Sequence, residues 1–197
     1  MSILSLLVKG GYTMIFIGIA AFIGIWITVE RYIYYRHIRT DIDEILKSVK
    51  PYLEESDFTA AINHLRGNDS PYARIVIKGL LNRSKASMEG AARGEVRNLE
   101  KGLGPLSSVV AVSPMLGFFG TVVGMIRAFM QIEALGGSVN PSRLAGGIWE
   151  ALITTAAGLA VAIVFLIFYN IFVERENYVV TNINIIMDEI GEYLEKE

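Results

Sequence analysis

Three long stretches without a charged residue constrain the fold of this chain more than any other feature. They lie between Lys9 and Glu30, between Lys101 and Arg127, and between Glu150 and Glu174. Because a helix rises about 1.5 Å per residue, about 20 such residues cross the hydrocarbon core of a bilayer. The sequence therefore predicts an all-α membrane protein with three transmembrane helices per chain.

The placement of basic residues predicts which side of the membrane each segment occupies. Segment 30–101 holds 13 of the 18 Lys and Arg residues, and basic residues favour the cytoplasmic side. The predicted segments are an outer N-terminal segment 1–11, a first span 12–29, a cytoplasmic helical domain 30–101, a second span 102–126, an outer loop 127–150, a third span 151–173 and a cytoplasmic C-terminal helix 174–197.

Apolar residues at helical spacing predict amphipathic helices in the cytoplasmic segments. The predicted buried residues are Ile38, Ile42, Ile45, Val49, Leu53, Phe58, Ala61, Ile62, Leu65, Ile75, Val76, Leu80, Leu81, Val96 and Leu99, and in the tail Val179, Ile183, Ile186, Ile190 and Leu194. "RGNDSP" (66–71) interrupts this pattern with turn residues, and its proline can start the next helix. An aromatic belt of Trp26, Tyr32, Tyr34 and Tyr35 is predicted at the far end of the first span.

Composition excludes several classes of function. The net charge of −2 gives no reason to expect a nucleic-acid partner. There is no cysteine, and the two histidines form no metal-binding motif. We therefore expect no metal, no cofactor and no enzyme activity, and a lipid bilayer as the surroundings of the spans.

The second and third spans each carry a stripe of small residues. In the second span it comprises Ser107, Pro114, Gly117, Thr121, Gly124 and Ala128, with Gly120 next to the threonine. In the third span it comprises Gly147, Ala151, Thr155, Gly158 and Ala162, with Thr154 beside it. Small residues let membrane helices approach closely. They also leave room for a narrow cavity, so the pattern is compatible with helix packing and with a pore lining.

Two threonines lie at nearly the same predicted depth. Thr121 precedes Arg127 by six residues and Thr155 follows Glu150 by five, which puts both hydroxyls about 8–9 Å inside the charged boundary. Several copies around one axis would form two polar rings at this level. The alternative is a structural role, because a membrane threonine often donates to the carbonyl four residues earlier. Whether Thr154 or Thr155 would face a pore is left open.

Pro114 and Glu150 also have two interpretations each. Pro114 lines the predicted face or only kinks a helix whose freed carbonyl is satisfied by a neighbour. Glu150 is favoured by the helix dipole near the first turn of the third span, or it takes up protons or pairs with a basic residue at the mouth of a conduit. The three spans themselves contain no Asp, Glu, His, Lys or Arg. If the protein conducts protons, the carboxylate that carries them must come from a second polypeptide.

The chain resembles the MotA/TolQ/ExbB proton channel family, and within it the ExbB/TolQ branch. The resemblance rests on "SPMLGFFGTVVGMIRAF" (113–129), "LAGGIWEALITTAAGLAVAI" (144–163) and "YNIF" (169–172), and at the start on "GGYTMIFIG" and "VERYIYYR". With the cytoplasmic helices and the three spans, it covers essentially the whole chain. MotA proteins have four spans, whereas the 29 residues before Glu30 have room for one.

The resemblance implies a homopentamer in the bacterial inner membrane whose second and third spans enclose a central pore. Single-span partner subunits of the ExbD/TolR type would stand inside it and supply the missing aspartate. A TonB- or TolA-like protein would carry force across the periplasm to the outer membrane. By the same resemblance, Thr121 and Thr155 match the family's pore threonines, and Glu150 matches its acidic residue at the start of the third span. The expected function is an ExbB-like stator, with a TolQ-like subunit or a non-conducting membrane scaffold as alternatives.

Overall fold

The computed structural model describes residues 11–38, 42–134 and 141–195. Within these ranges the chain forms seven helices and no strand: α1 Gly11–His37, α2 Ile42–Glu54, α3 Phe58–Leu65, α4 Pro71–Asn82, α5 Lys85–Glu100, α6 Leu103–Ala134 and α7 Pro141–Glu195. The all-α fold predicted from the sequence is confirmed. Apart from Gly11, the predicted outer segment 1–11 lies outside the described residues, as do residues 135–140 of the predicted outer loop.

Three of these helices are long and apolar enough to cross a membrane. Their most apolar windows, in α1, α6 and α7, have mean hydropathies of 2.1, 2.0 and 2.6. Large apolar side chains on their outer faces are exposed, among them Phe22 (69%), Phe118 (68%) and Ile163 (58%). Such surfaces are stable only in lipid or against another subunit, so the prediction of a three-span membrane protein is confirmed.

The chain divides into two compact units. Of the described residues, those up to Glu30 and those within Gly102–Ile171 form the first, which we call the membrane unit. The described residues within Arg31–Lys101 and from Phe172 onward form the second, which we call the extramembrane unit. The helices α1 and α7 each contribute residues to both units.

The extramembrane unit buries the apolar stripes that its sequence predicts. Val49, Ala61, Ile75 and Val179 are among its fully buried residues. The one large exception is Leu81, which is 58% exposed although the sequence pattern predicted it to be buried. A helix turns by about 100° per residue, and at the end of α4 the buried position belongs to Leu80, which is 2% exposed, so that Leu81 points away from the core.

Side-chain caps explain where three short helices of this unit begin. Asp57 accepts a hydrogen bond from the Ala60 N–H at 2.9 Å, and Ser70 accepts one from the Ala73 N–H at 3.2 Å. Ser84 caps α5 in the same way. Each cap satisfies a backbone donor that the first helical turn leaves free. Pro71 follows Ser70 as the first residue of α4, where its missing N–H is no loss.

Tyr35 does not belong to an exposed aromatic belt, contrary to the sequence prediction. It is only 5% exposed, its ring stacks on that of Phe172 with centroids 5.7 Å apart, and its hydroxyl donates to the Leu99 carbonyl oxygen at 2.9 Å. Trp26 and Tyr32, by contrast, are 70% and 56% exposed. Tyr35 was misassigned because its partners are far away in the sequence, where local spacing carries no information about them.

Candidate functional site

Within the membrane unit, α6 and α7 approach each other at backbone distance along a line of small residues. A Cβ atom built on Gly117 would lie 2.9 Å from the Thr154 carbonyl oxygen, and one on Gly124 would lie 2.9 Å from the Ala151 Cβ. A Cβ on Gly158 would lie 3.0 Å from the Gly117 Cα. These spacings are too short for a side chain, so the contact needs glycine at these positions.

Three threonine hydroxyls meet at this helix contact, and we call Thr121, Thr154 and Thr155 the hydroxyl cluster. Thr155 Oγ1 lies 3.0 Å from the Gly117 carbonyl oxygen, and Thr121 Oγ1 lies 3.2 Å from the same atom. The hydroxyls of Thr121 and Thr155 also bond directly to each other. Thr154 Oγ1 donates to the Ala151 carbonyl oxygen at 2.7 Å. The two threonines that the sequence placed at one depth are therefore in contact.

The bond between Thr121 and Thr155 can point either way. A hydroxyl has one proton to donate and can accept as well. In one arrangement Thr155 donates to the Gly117 carbonyl and Thr121 donates to Thr155. In the other, Thr121 donates to the Gly117 carbonyl and Thr155 donates to Thr121. Both arrangements satisfy both donors, so the pair can offer a hydrogen-bond acceptor to a group that approaches from outside.

A fourth threonine, which the sequence reasoning missed, lies next to this cluster on α1. A Cβ on Gly120 would lie 2.8 Å from Thr13 Oγ1 and even closer to Thr154 Oγ1. Gly120 thus provides the space for hydroxyls from two other helices. Thr13 is 8% exposed. Its depth is a signal in the sequence, because Thr13 follows Lys9, which precedes the first uncharged stretch, by four residues, and Thr121 and Thr155 lie similarly close to Arg127 and Glu150.

The three threonines of the hydroxyl cluster differ in how deeply they are buried. Thr154 is 1% exposed, whereas Thr121 and Thr155 are half-buried. Thr121 borders a groove of about 550 Å³ on α6, which is otherwise lined by apolar residues between Phe118 and Met130 and by Glu133. Thr121 can therefore be reached from outside the chain, and Thr154 cannot.

Glu150 forms an ion pair with Arg127 near the N-terminus of α1. Glu150 Oε1 lies 3.4 Å from Arg127 Nη1, and the two side chains are 33% and 45% exposed. The Arg127 guanidinium also lies 5.6 Å from the centroid of the Tyr12 ring. A Cβ on Gly11, whose φ is +64°, would lie 2.6 Å from Glu150 Oε1. The first helical residue of α1 thus packs directly against the carboxylate, where the helix dipole favours a negative charge.

In the first half of α6, the fully buried polar residue lies outside the predicted stripe of small residues. Ser113 is fully buried and its hydroxyl donates to the Val109 carbonyl oxygen at 2.6 Å, whereas Pro114 and Ser107 are only half-buried. Pro114 lies inside α6 without ending the helix. On α7, Ala162 is 7% exposed and continues the buried line.

The membrane unit therefore joins three apolar helices through small residues and hydroxyl groups, and the spans carry no Asp, Glu, His, Lys or Arg. These features define a multi-pass helical membrane protein with a polar site inside its spans. The model of the MotA/TolQ/ExbB proton channel family matches residues 61–185, and the chain belongs to that family.

Three relatives from two systems are similar to this chain. It is 32% identical over 181 residues to an ExbB homolog of Methanothermobacter thermautotrophicus, which covers 88% of this chain and 64% of that protein. It is 37% identical over 98 residues to the biopolymer transport protein ExbB of Salmonella typhimurium, covering 50% and 40%. It is 37% identical over 131 residues to the Tol-Pal system protein TolQ of Haemophilus influenzae, covering 66% and 54%. The resemblance to the ExbB/TolQ branch is confirmed, and the chain spans between 40% and 64% of the length of these relatives.

Proposed function

We propose that this chain is the stator and channel subunit of an inner-membrane transducer driven by the proton-motive force. In this proposal an ExbB-like homopentamer encloses a pore with its second and third spans. Single-span subunits of the ExbD/TolR type stand inside the pore, and a TonB-like protein transmits force across the periplasm. Membership in a proton channel family supports the general class, which is a channel family and not a class of enzymes.

The observation that carries the proposal is the contact between Thr121 and Thr155 inside spans that contain no Asp, Glu, His, Lys or Arg. Their hydroxyls bond to each other, and both threonines are half-buried. Buried packing alone does not require two hydroxyls from different helices at one depth, since alanine or valine would satisfy it without polar atoms to pair.

The chemistry of the pair suits a carboxyl group that changes its protonation state. A protonated carboxyl donates a hydrogen bond, and an ionised carboxylate only accepts. In either arrangement the pair can accept from the first form. It can donate to the second form when Thr121 turns its proton from Thr155 to the carboxylate, while Thr155 keeps its bond to the Gly117 carbonyl. A threonine cannot itself hold the transferred proton, so the proposal assigns that role to an aspartate of the partner subunit.

Within the hydroxyl cluster we assign Thr121 and Thr155 to the proton path and Thr154 to helix packing. The burial of Thr154, which is 1% exposed, supports this division. We assign four glycines to the α6–α7 contact, which holds the two threonines together: Gly117, Gly120, Gly124 and Gly158.

Glu150 is proposed to act at the outer mouth of the path, with the loop between α6 and α7 in the periplasm. Its pairing with Arg127 and its partial exposure support this role. An ion pair at a membrane boundary can open when either partner binds another ion, which would give water access to the hydroxyls below it.

Proton uptake by vesicles that contain the complex tests the proposal. The chain is co-purified with its single-span partner, and Thr121→Val and Thr155→Val remove the hydroxyls at nearly constant volume. We expect proton uptake to fall at least tenfold with the oligomer mass unchanged, and Thr121→Ser and Thr155→Ser to restore it. Thr181→Val is the control, because Thr181 is exposed and lies outside the spans. Undiminished uptake by both valine variants would contradict the proposal.

A TolQ-like role is the second candidate, and the similarity to the Haemophilus protein supports it. The two roles share the proton path and differ in the partner that receives the force. Identifying the single-span protein that co-purifies with this chain from its native membrane distinguishes them. An ExbD-type partner with a TonB-type protein supports the first role, and a TolR-type partner with a TolA-type protein supports the second.

A non-conducting scaffold remains an alternative because Thr121 Oγ1 lies within hydrogen-bonding distance of the carbonyl of Gly117, four residues earlier. In that role the hydroxyls only stabilise helix packing. The scaffold predicts that the valine variants leave transport intact, which is the opposite of the outcome expected above.

A further inference from the structure

A second groove of the membrane unit lies between α1 and α7. Its volume is about 470 Å³, within the range of small-molecule sites. Ala21, Ile25, Thr28 and Val29 line it on α1, and five apolar residues between 160 and 168 line it on α7. Thr28 contributes the only side-chain polar atom among these lining residues.

The hydroxyl of Thr28 has no hydrogen-bond partner among the residues that the structure describes. The side chain is only 9% exposed. A helical threonine can donate to the carbonyl four residues earlier, which here belongs to Gly24, but this bond is not formed. Leaving a buried donor unpaired costs about 1–3 kcal/mol, and hydrocarbon supplies no water to replace the partner. An acceptor from outside the chain would remove this cost.

The depth of the groove in the membrane shows which parts of a lipid molecule lie beside it. Thr28 precedes Glu30, the first charged residue after the span, by two residues, so it lies about 3 Å from the charged boundary. Ala21 precedes Glu30 by nine residues and lies about 13 Å inside it. Half of a bilayer's hydrocarbon core is about 15 Å thick. The groove therefore extends through most of one leaflet, with its hydroxyl at the level of the lipid ester groups.

The two helices that form the groove are in close contact, and the groove is open toward the surrounding lipid. Phe165 is 5% exposed, and its ring occupies the space that a side chain at Gly24 would need, so α1 and α7 are in close contact there. Ile25, Val29 and Val164 are 56%, 52% and 49% exposed. A hydrocarbon chain can therefore enter from the lipid without moving either helix.

We propose that this groove binds one phospholipid of that leaflet, with an acyl chain along the apolar lining and an ester carbonyl that accepts a hydrogen bond from Thr28. Rotation about χ1 moves the hydroxyl of a threonine to another staggered position, and two rotamers are accessible in a helix. One rotation turns the Thr28 hydroxyl toward the bound lipid. The site is separate from the hydroxyl cluster, and lipid occupancy does not depend on proton conduction.

Photolabelling tests the position of the acyl chain. The full chain is placed in nanodiscs with a phosphatidylethanolamine whose acyl chain carries a diazirine, and the labelled peptides are mapped by mass spectrometry. We expect the label to concentrate on 21–29 and 160–168. Ala160→Phe fills the groove and should lower this labelling at least fivefold. Ala156→Phe is the matched control, because Ala156 is also exposed on α7 but does not line the groove.

Native mass spectrometry tests the hydrogen bond. Thr28→Val should lower the fraction of protein that keeps a lipid after detergent extraction at least threefold, and Thr28→Ser should restore it. Labelling of the groove no stronger than that of Val112, which is exposed on α6 outside the groove, would overturn the proposal, because bulk lipid would account for it. Cross-links from a photoreactive residue at Val29 to a second copy of the chain would also overturn it and assign the groove to a subunit contact. Lipid retention unaffected by Thr28→Val would refute the proposed hydrogen bond.

Discussion

Thr155 and Gly117 are joined across two membrane helices by a hydrogen bond of 3.0 Å from the threonine hydroxyl to the glycine carbonyl oxygen. The same glycine lets the backbones meet, since a Cβ at position 117 would lie 3.0 Å from the Thr155 Cα. Gly117 therefore contributes both to helix packing and to the position of the hydroxyl cluster. A change at Gly117 should affect both at once.

Gly117→Ala should lower the free energy of unfolding by about 1–3 kcal/mol, because the added methyl overpacks a backbone contact. Thermal unfolding of the purified protein measures this. Gly18→Ala is the matched control, since no atom lies within 4 Å of a Cβ at that position in another span. It should leave the stability unchanged or raise it slightly, because alanine is the better helix former. Equal unfolding temperatures for the two variants would contradict the packing described here.

The sequence predicts the buried face of a helix only where apolar residues alternate with polar or charged ones. In the extramembrane unit, apolar residues alternate with charged ones, and buried residues such as Ile45 and Ile186 could be predicted from spacing alone. In the spans nearly every residue is apolar, so spacing shows that a helix crosses the membrane but gives little contrast between its faces. Spacing therefore did not show that Ser113, which lies outside the predicted stripe, is fully buried.

The sequence could predict the depth of the candidate site in the membrane. Counting residues from Arg127 and Glu150 placed Thr121 and Thr155 at one level, and they are in contact. Counting does not say which way a side chain points, so the burial of Thr154 required the structure. The orphan hydroxyl of Thr28 could not be found from the sequence, since a missing hydrogen bond has no local pattern.

The chain without its partner should pass few protons. Its spans contain no residue that titrates near neutral pH, and a hydroxyl cluster cannot carry a proton by itself. Vesicles that contain the purified chain alone should acidify at the rate of empty vesicles when a pH gradient is imposed. Addition of the partner should raise the rate, and an Asp→Asn change in the partner's span should abolish the increase. Rapid acidification by the chain alone would contradict the need for an outside carboxylate.

The ion pair between Arg127 and Glu150 should contribute little to stability and should weaken with salt. Both groups are partly exposed, and such pairs contribute about 0.2–1 kcal/mol. Arg127→Ala, Glu150→Ala and the double variant form a thermodynamic cycle that measures the coupling by unfolding at low and high salt. Glu133→Ala controls for the loss of one exposed carboxylate from the same unit. A coupling well above 1 kcal/mol, or one that salt does not change, would mean that the pair is more deeply buried in the assembly.

In the extramembrane unit, Arg74→Lys should lower the free energy of unfolding although the positive charge is kept. The Arg74 guanidinium binds both oxygens of Glu95 at 2.8 Å and also donates to the Asp69 carbonyl oxygen. A lysine ammonium cannot form the paired bonds of a planar guanidinium. We expect a loss of about 0.5–1 kcal/mol in unfolding free energy, and a similar loss for Glu95→Gln. Arg93→Lys is the control, because Arg93 is more exposed and lies 3.9 Å from Glu89. Equal effects of the two Arg→Lys changes would contradict this account.

Glu176→Gln should stabilise the protein at alkaline pH and not at acidic pH. Burial raises the pKa of Glu176 above that of an ordinary carboxyl group, and the nearby charge of Glu100 raises it further. The folded state therefore binds this proton more tightly than the unfolded state does, and its contribution to stability is lost as the pH rises through the raised pKa. Glutamine stays neutral, so the variant should unfold on the order of 1 °C higher at pH 8 and at the same temperature as the native chain below the ordinary carboxyl pKa. Glu174→Gln removes the same charge from an exposed position two residues earlier on α7, and it should not reproduce this pH-dependent difference. A lower unfolding temperature of Glu176→Gln at pH 8 would show that the carboxylate has a favourable partner in the folded state.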